Sequence, residues 1–253
     1  MRVLLSNDDG VHAEGLRALA AAFEGDEVWV VAPDREQSAS SHAISLHRPL
    51  RMQEVAARRF AVDGTPTDAV YMGLNLVLRN ARPDVVVSGV NHGPNLGNDV
   101  LYSGTVAAAM EAALLGVNAI AVSLAGPPPH EFEDAARFAA ALARRVVSAP
   151  APAPLLLNVN VPPGPVRGYR FVRLGRRTYG NEVVEKTDPR GRRYYWIGGE
   201  GGPVNEDIPG SDCNAAMRER LVSVTPLHLD STNDAVLESL RSWTVPGFQK
   251  EPA

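Results

Sequence analysis

The chain reads as a doubly wound α/β layer with a mostly parallel sheet over residues 1 to about 162, followed by a C-terminal part (163–253) that carries a projecting β-hairpin. Three observations predict this. Apolar strands alternate with stretches of helical period along the first 162 residues. Those strands are apolar throughout, as strands covered on both faces are. After residue 162 the alternation gives way to sequence rich in Gly, Pro and Arg.

Taken in order, "RVLLS" (2–6) is a short buried strand. "EGLRALAAAF" (14–23) places Leu16, Leu19, Ala20 and Phe23 at the i, i+3, i+4, i+7 spacing of an amphipathic helix, which Gly25 stops. "EVWVVAPD" (27–34) is a second strand, so the first 34 residues form a βαβ unit with a parallel pair and a right-handed crossover. "GTPTD" (64–68) is a turn in which Thr67 or Asp68 caps a helix over "AVYMGLNLVL" (69–78). The alternation then repeats, with strand "PDVVVSGVN" (83–91), helix "TVAAAMEAALLG" (105–116) and strand "NAIAVSL" (118–124). Helix "HEFEDAARFAAALARRVV" (130–147) and strand "PLLLNVNVP" (154–162) complete it, joined by the stiff Ala/Pro connector "SAPAPAPL" (148–155). Beyond these, "YRFVRL" (169–174) and "RRYYWIG" (192–198) are strand candidates of a hairpin elaboration. "RLVSVTPL" (220–227) returns as a strand, and "STNDAVLESLRSW" (231–243) is a last helix starting near Ser231 and Thr232. Tyr194, Tyr195 and Trp196 suit the packing of an arm or a subunit contact.

Composition narrows the function classes. The 253 residues, 45% hydrophobic and 21% charged, match an ordinary globular chain able to bury a sizeable core. No apolar run approaches the ~20 residues of a membrane span, and polar Ser6-Asn7-Asp8-Asp9 arrives too early for a secretory leader. Cys213 is the only cysteine, so no intrachain disulfide forms and a reducing cytoplasm is the expected compartment. The net charge of −4, without a basic run, argues against a nucleic-acid polymer as partner. Neither GxGxxG nor a Walker loop follows the first strand.

Ligands of open α/β sheets bind at the carboxyl ends of strands, and three loops there carry oxygen-bearing residues. The first holds Asp8 and Asp9, adjacent carboxylates that repel unless a cation or donors lie between them. A metal or catalytic role and an Asx-turn role both account for that pair. With Ser38 in the second loop and Asn91 at a strand end, the carboxylates make an all-oxygen set that suits Mg²⁺, Mn²⁺ or Ca²⁺ rather than zinc. His12, His42, His47 and His92 form no ligand pattern and read as hydrogen-bonded loop residues. "YSGT" (102–105) opens into a helix, where N–H groups and the dipole attract an anion; Ser103 or Thr105 acting as a plain cap is the other reading.

Five ordered stretches, "RVLLSNDDGVHAEGL", "VVAPDREQSASSHAISL", "DGTPTDAVYMGLN", "PDVVVSGVNHGPNLGNDVLYSGTVAAAMEAALLG" and "NVNVP", together resemble the survival protein SurE family of metal-dependent nucleotide phosphatases. The resemblance implies a Rossmann-like core and one divalent cation per subunit, Mg²⁺ or Mn²⁺ with Ca²⁺ as a further candidate. It also implies hydrolysis of nucleoside 5′-monophosphates, with 3′-nucleotides and short polyphosphate as further substrates. Carried over residue by residue, the metal ligands fall on Asp8, Asp9, Ser38 and Asn91, with Asp8 and Asp9 as the catalytic carboxylates. The phosphate contacts fall on Asn95, Ser103, Gly104 and Thr105. Residues about 170–210 and 240–253 look like the arms that the family exchanges in homodimers or homotetramers. With no Arg or Lys between residues 90 and 105, the cation is expected to carry most of the positive charge at the phosphate. A calcium-dependent N-ribosyl hydrolase and a nucleotide-sensing module are the competing readings. A phosphoaspartyl phosphatase fits worse, because its DxDx pattern spaces the carboxylates by two.

Overall fold

The computed structural model describes residues 1–128, 131–149, 154–180, 183–198 and 202–249. The middle of the Ala/Pro connector, the His130 start of the fourth helix, and the end of the tail lie outside the described residues. The strands are β1 (Arg2–Ser6), β2 (Glu27–Pro33), β3 (Met52–Ala56), β4 (Arg59–Val62), β5 (Val85–His92), β6 (Asn118–Leu124) and β7 (Leu156–Val161). The chain continues with β8 (Tyr169–Phe171), β9 (Arg177–Thr178), β10 (Val183–Thr187), β11 (Arg193–Ile197), β12 (Val204–Asn205) and β13 (Val222–Pro226). The α-helices are α1 (Glu14–Ala22), α2 (Pro66–Met72), α3 (Gly104–Leu114), α4 (Glu133–Ser148), α5 (Asp212–Met217) and α6 (Asp234–Leu240).

Nine strands form one sheet in the order β3-β4-β2-β1-β5-β6-β7-β13-β8. From β4 to β7 every pairing is parallel, whereas β3 and β13 join antiparallel to their neighbours β4 and β7. The doubly wound, mostly parallel α/β fold expected from the sequence is the one observed.

Alternation along each strand supplies the two faces. Val3 and Leu5 of β1 with Val85 and Val87 of β5 pack under α1 and α4, against Leu16, Leu19, Phe23 and Ala139. Leu4 and Val86 point the other way, onto Val70 of α2 and Ala108 and Ala112 of α3. With both faces covered, the strands have no polar side, which is why they read as continuous apolar runs.

Several boundaries differ from the sequence reading. The cap of α2 is Thr65, not Thr67 or Asp68. Its hydroxyl accepts from the Asp68 N–H while the Asp68 carboxylate accepts from the Thr65 N–H, a capping box with Pro66 at the first helical position. The helix continues as a π turn over Gly73–Val77. α6 is capped by Asn233 rather than Ser231 or Thr232. β8, expected in the projecting hairpin, instead pairs parallel with β13 at the sheet edge. The hairpin proper is β10 with β11, continued at its base by β9 with β12. β3, β4 and α5 have no counterpart in the sequence reading, because their residues alternate weakly or are too few for a period to emerge.

Candidate functional site

The sheet reverses winding at β1, which has β2 on one side and β5 on the other. The crevice outside the carboxyl ends of β1 and β5 is the place where such sheets bind ligands. A cleft of about 670 Å³ opens there.

The loop after β1 turns at once. The Asn7 side chain bonds across it, its amide nitrogen donating to the Gly10 carbonyl at 3.0 Å and its oxygen accepting from the Gly10 N–H at 3.2 Å. Gly10 sits at φ +104°, a conformation that side chains disfavour. This bend lets both carboxylates line the cleft, so the Asx turn and the acidic pair are two parts of one device rather than alternatives.

Asp8 is only 6% exposed. Burial pushes its carboxyl up to about 6, against the stabilising pull of Thr105, whose hydroxyl and main-chain N–H both bond it. Burial, with the charge of Glu36, also pushes Asp9 up to about 6. One Asp9 oxygen faces the His92 Nδ1 at 3.2 Å, and the other, Oδ2, is buried with no hydrogen-bond partner. One buried and one partly buried carboxylate with an unanswered oxygen lack positive charge, and this donor set fits a hard divalent cation. Among the described residues no three His, Cys, Asp or Glu are placed to hold a metal ion together, so neutral oxygens or waters would have to complete the coordination sphere.

Asn91 and Ser38 line the same cleft. A register shift between Ser88 and Asn91 breaks the β5–β6 ladder and re-aims the strand end toward the site. The Asn91 amide nitrogen donates to the Gly93 carbonyl at 2.9 Å, which leaves its oxygen as the acceptor for the cleft. Ser38 is exposed and its hydroxyl donates to Glu36 at 2.6 Å. Ser40, passed over in the sequence reading, has a buried, unpartnered hydroxyl beside Gly104.

The residues expected to contact phosphate are more committed than their sequence suggested. Ser103 is the N-cap of α3, accepting from the Val106 N–H at 3.1 Å. Thr105 is fully buried and holds Asp8. Gly104 is a close-approach glycine: a Cβ there would lie 2.8 Å from the Asp8 Cβ and 2.9 Å from the Ser40 hydroxyl. Asn95 lines the cleft from a loop tied to the sheet. Its carbonyl accepts from Asn158 and Asn160 at 2.8 and 3.0 Å, and its side-chain nitrogen donates to Ser123 at 2.8 Å.

Several cleft residues escaped the sequence reading, His92, Arg177 and Tyr179 among them. His92 was grouped with the loop histidines, yet it bears on Asp9. Arg177 and Tyr179 come from the base of the arm, about 80 positions beyond the loop they meet. No Arg or Lys lies between residues 90 and 105, but Arg177 reaches the cleft from the base of the arm. Its charge is answered by Asp99 in a buried ion pair. The local signal was only the Arg-heavy stretch "RLGRRTYG", and nothing in it points to a particular loop.

The family described as Survival protein SurE matches residues 3–181. The chain belongs to the SurE family. It is 85% identical over 253 residues, the whole of both chains, to the 5′-nucleotidase SurE of Anaeromyxobacter dehalogenans strain 2CP-C. It is 58% identical to the 5′-nucleotidase SurE of Myxococcus xanthus, covering 98% of this chain and 95% of that one. The crystal structure of the SurE protein from Aquifex aeolicus superposes with a TM-score of 0.83 at 38% identity, covering 95% and 98% of the two chains. The SurE fold thus carries the cleft, and no helix among the described residues is long and apolar enough to cross a membrane.

Proposed function

We propose that the chain is a divalent-metal-dependent 5′-nucleotidase that hydrolyses nucleoside monophosphates to nucleoside and inorganic phosphate. The observation that carries this reading is the pair of buried Asp8 and partly buried Asp9, with its buried and unpartnered Asp9 oxygen, at the switch point of the sheet. The relatives named 5′-nucleotidase SurE support the substrate class.

Asp8, Asp9, Ser38 and Asn91 would hold the cation. When bound, it supplies Lewis-acid chemistry, offsetting charge on the phosphoryl oxygens and making water a stronger nucleophile near neutral pH. Thr105 fixes Asp8, and His92 fixes Asp9, so that neither carboxylate can swing away. Asn95, Ser103 and the opening N–H groups of α3 meet the non-bridging oxygens, where negative charge grows in the transition state. The water oxygen bonds to phosphorus as the bond to the ribose oxygen breaks, and that oxygen leaves with a proton. The same site admits 3′-nucleotides and short polyphosphate as further substrates. The exposed β10–β11 hairpin and the C-terminal segment join subunits into a homodimer or homotetramer, and the enzyme works in the cytoplasm.

The test is phosphate release from AMP and other monophosphates with Mg²⁺, Mn²⁺ and Ca²⁺ in turn, expected to be absent with EDTA. Release of free base with ribose phosphate would replace the reading by an N-ribosyl hydrolase. Saturable AMP binding without turnover under every ion would replace it by a nucleotide sensor.

A further inference from the structure

Much of the cleft lining is neither acidic nor amide. Ala39, Pro94 and Ile197 with the rings of Tyr102 and Tyr179 contribute a largely apolar wall, and the cleft volume of about 670 Å³ falls in the range of small-molecule sites, with room beyond a phosphate.

Tyr179 is held with unusual completeness for a side chain half exposed to solvent. Its hydroxyl donates to Asp99 Oδ1 at 2.7 Å. Burial and that bond push its pKa up to about 12, so the phenol stays protonated and keeps donating. The Arg177 guanidinium, paired with the other Asp99 oxygen, lies 6.0 Å from the ring centroid. Arg177 is in turn tied through its N–H to Asn98 at 2.7 Å. One buried carboxylate, Asp212, then joins the two stretches, accepting from the Gly97 N–H at 2.8 Å and the Gly175 N–H at 2.6 Å. The base of the arm is thereby bonded to the 97–99 loop, and one ring face is covered by a cation while the rest of the ring lines the cleft.

We propose that Tyr179, clamped by Asp99 and Arg177, is the stacking platform for the planar base of the nucleotide. It makes the arm a specificity element of the cleft as well as a projecting ladder. The inference rests on the nucleotidase reading for its substrate. Its physics is preorganisation: a ring already fixed at its hydroxyl and one face loses little freedom when a base settles on it. Arg177 acts through the ring, since its charge is already matched by Asp99, and it is a positioning residue.

The experiment compares AMP with ribose 5-phosphate, which lacks the base, in the full-length protein with one divalent ion. Tyr179→Leu keeps apolar bulk and removes the ring, whereas Tyr179→Phe keeps the ring and removes only its hydroxyl. The ratio of kcat/KM for AMP to that for ribose 5-phosphate is expected to fall about tenfold or more in Tyr179→Leu, carried by KM. It should stay within about threefold of wild type in Tyr179→Phe. An unchanged ratio in Tyr179→Leu, or an equal fall in both variants, overturns the platform. So does a change of assembly size with no change in the ratio. Calorimetric binding of the same two ligands in Ca²⁺ gives the same comparison without chemistry. A protein that binds AMP more tightly than ribose 5-phosphate through Tyr179 yet releases no phosphate overturns the nucleotidase reading alone.

Discussion

In β5, Val85, Val86 and Val87 are wholly covered, whereas in β11 Trp196 is 61% and Ile197 95% exposed. Both strands are rich in β-branched or aromatic residues. The difference lies in what surrounds them. β5 has a neighbour on each edge and helices on each face, while among the described residues β11 pairs only with β10 and every one of its residues is exposed. An isolated two-stranded hairpin is marginal in water, so apolar residues there serve contacts outside the ladder. The core carries stability and the carboxylates; the arm carries surface, and at its base a wall of the cleft. α6 repeats the pattern, with no buried residue and with Val236, Leu237 and Leu240 exposed.

This contrast makes different demands on different substitutions. The largest effect belongs to the core's acidic pair. Asp8→Asn should lower phosphate release on the order of 10³-fold, with an unchanged far-UV spectrum and loss of any metal-induced rise in Tm. Near-normal turnover would remove the carboxylate pair from the mechanism. Leu4→Ala, at a fully buried position of β1 beneath α2 and α3, should cost about 2–5 kcal/mol in urea unfolding. Thr105→Val keeps the shape and removes the hydroxyl that holds Asp8, so kcat should fall roughly 10–100-fold with the fold retained.

The acid pair also sets a pH dependence. Asp8 and Asp9 titrate near 6 in the folded chain and near 4 when unfolded, so between those values the folded state holds the extra protons. Stability of the metal-free protein should therefore rise as pH falls from 7 toward 5, by a few °C in Tm. A bound cation prefers the ionised carboxylates, so the Tm gain on adding Mn²⁺ should be larger at pH 7.5 than at pH 5. Scanning fluorimetry with and without EDTA measures both. The smallest effect on the fold is expected in the arm. Trp196→Ser should change unfolding free energy by no more than about 0.5 kcal/mol while shifting the assembly to smaller species on a sizing column. A large loss of stability there would mean that the hairpin is part of the core after all.

Much of this was legible in the chain itself. Buried parallel strands announce themselves as unbroken apolar runs, and α1, α3 and α4 lie close to where their periods and stops put them. Asp8, Asp9 and Asn91 stand out because strand ends in such a sheet converge on one crevice, whereas Asn95, which also lines it, is pointed to only by the family resemblance. Short-range chemistry was misjudged where several caps stood in a row: Thr65 won over Thr67 because Pro66 fits the first helical position and Asp68 can answer from the third.

Composition and period by themselves determined the layered sheet, its carboxyl-end loops and the acid pair at the first of them, because each depends on residues within about a dozen positions of one another. Only the tertiary structure decided that Thr105 belongs to Asp8, that His92 belongs to Asp9, and that Arg177 and Tyr179 close on Asp99. Those pairings span 78 to 97 positions, the 83 between His92 and Asp9 included. Nothing periodic links such residues. They meet because burying the strands fixes where the loops end, and a buried charge then takes whatever partner that geometry brings within reach.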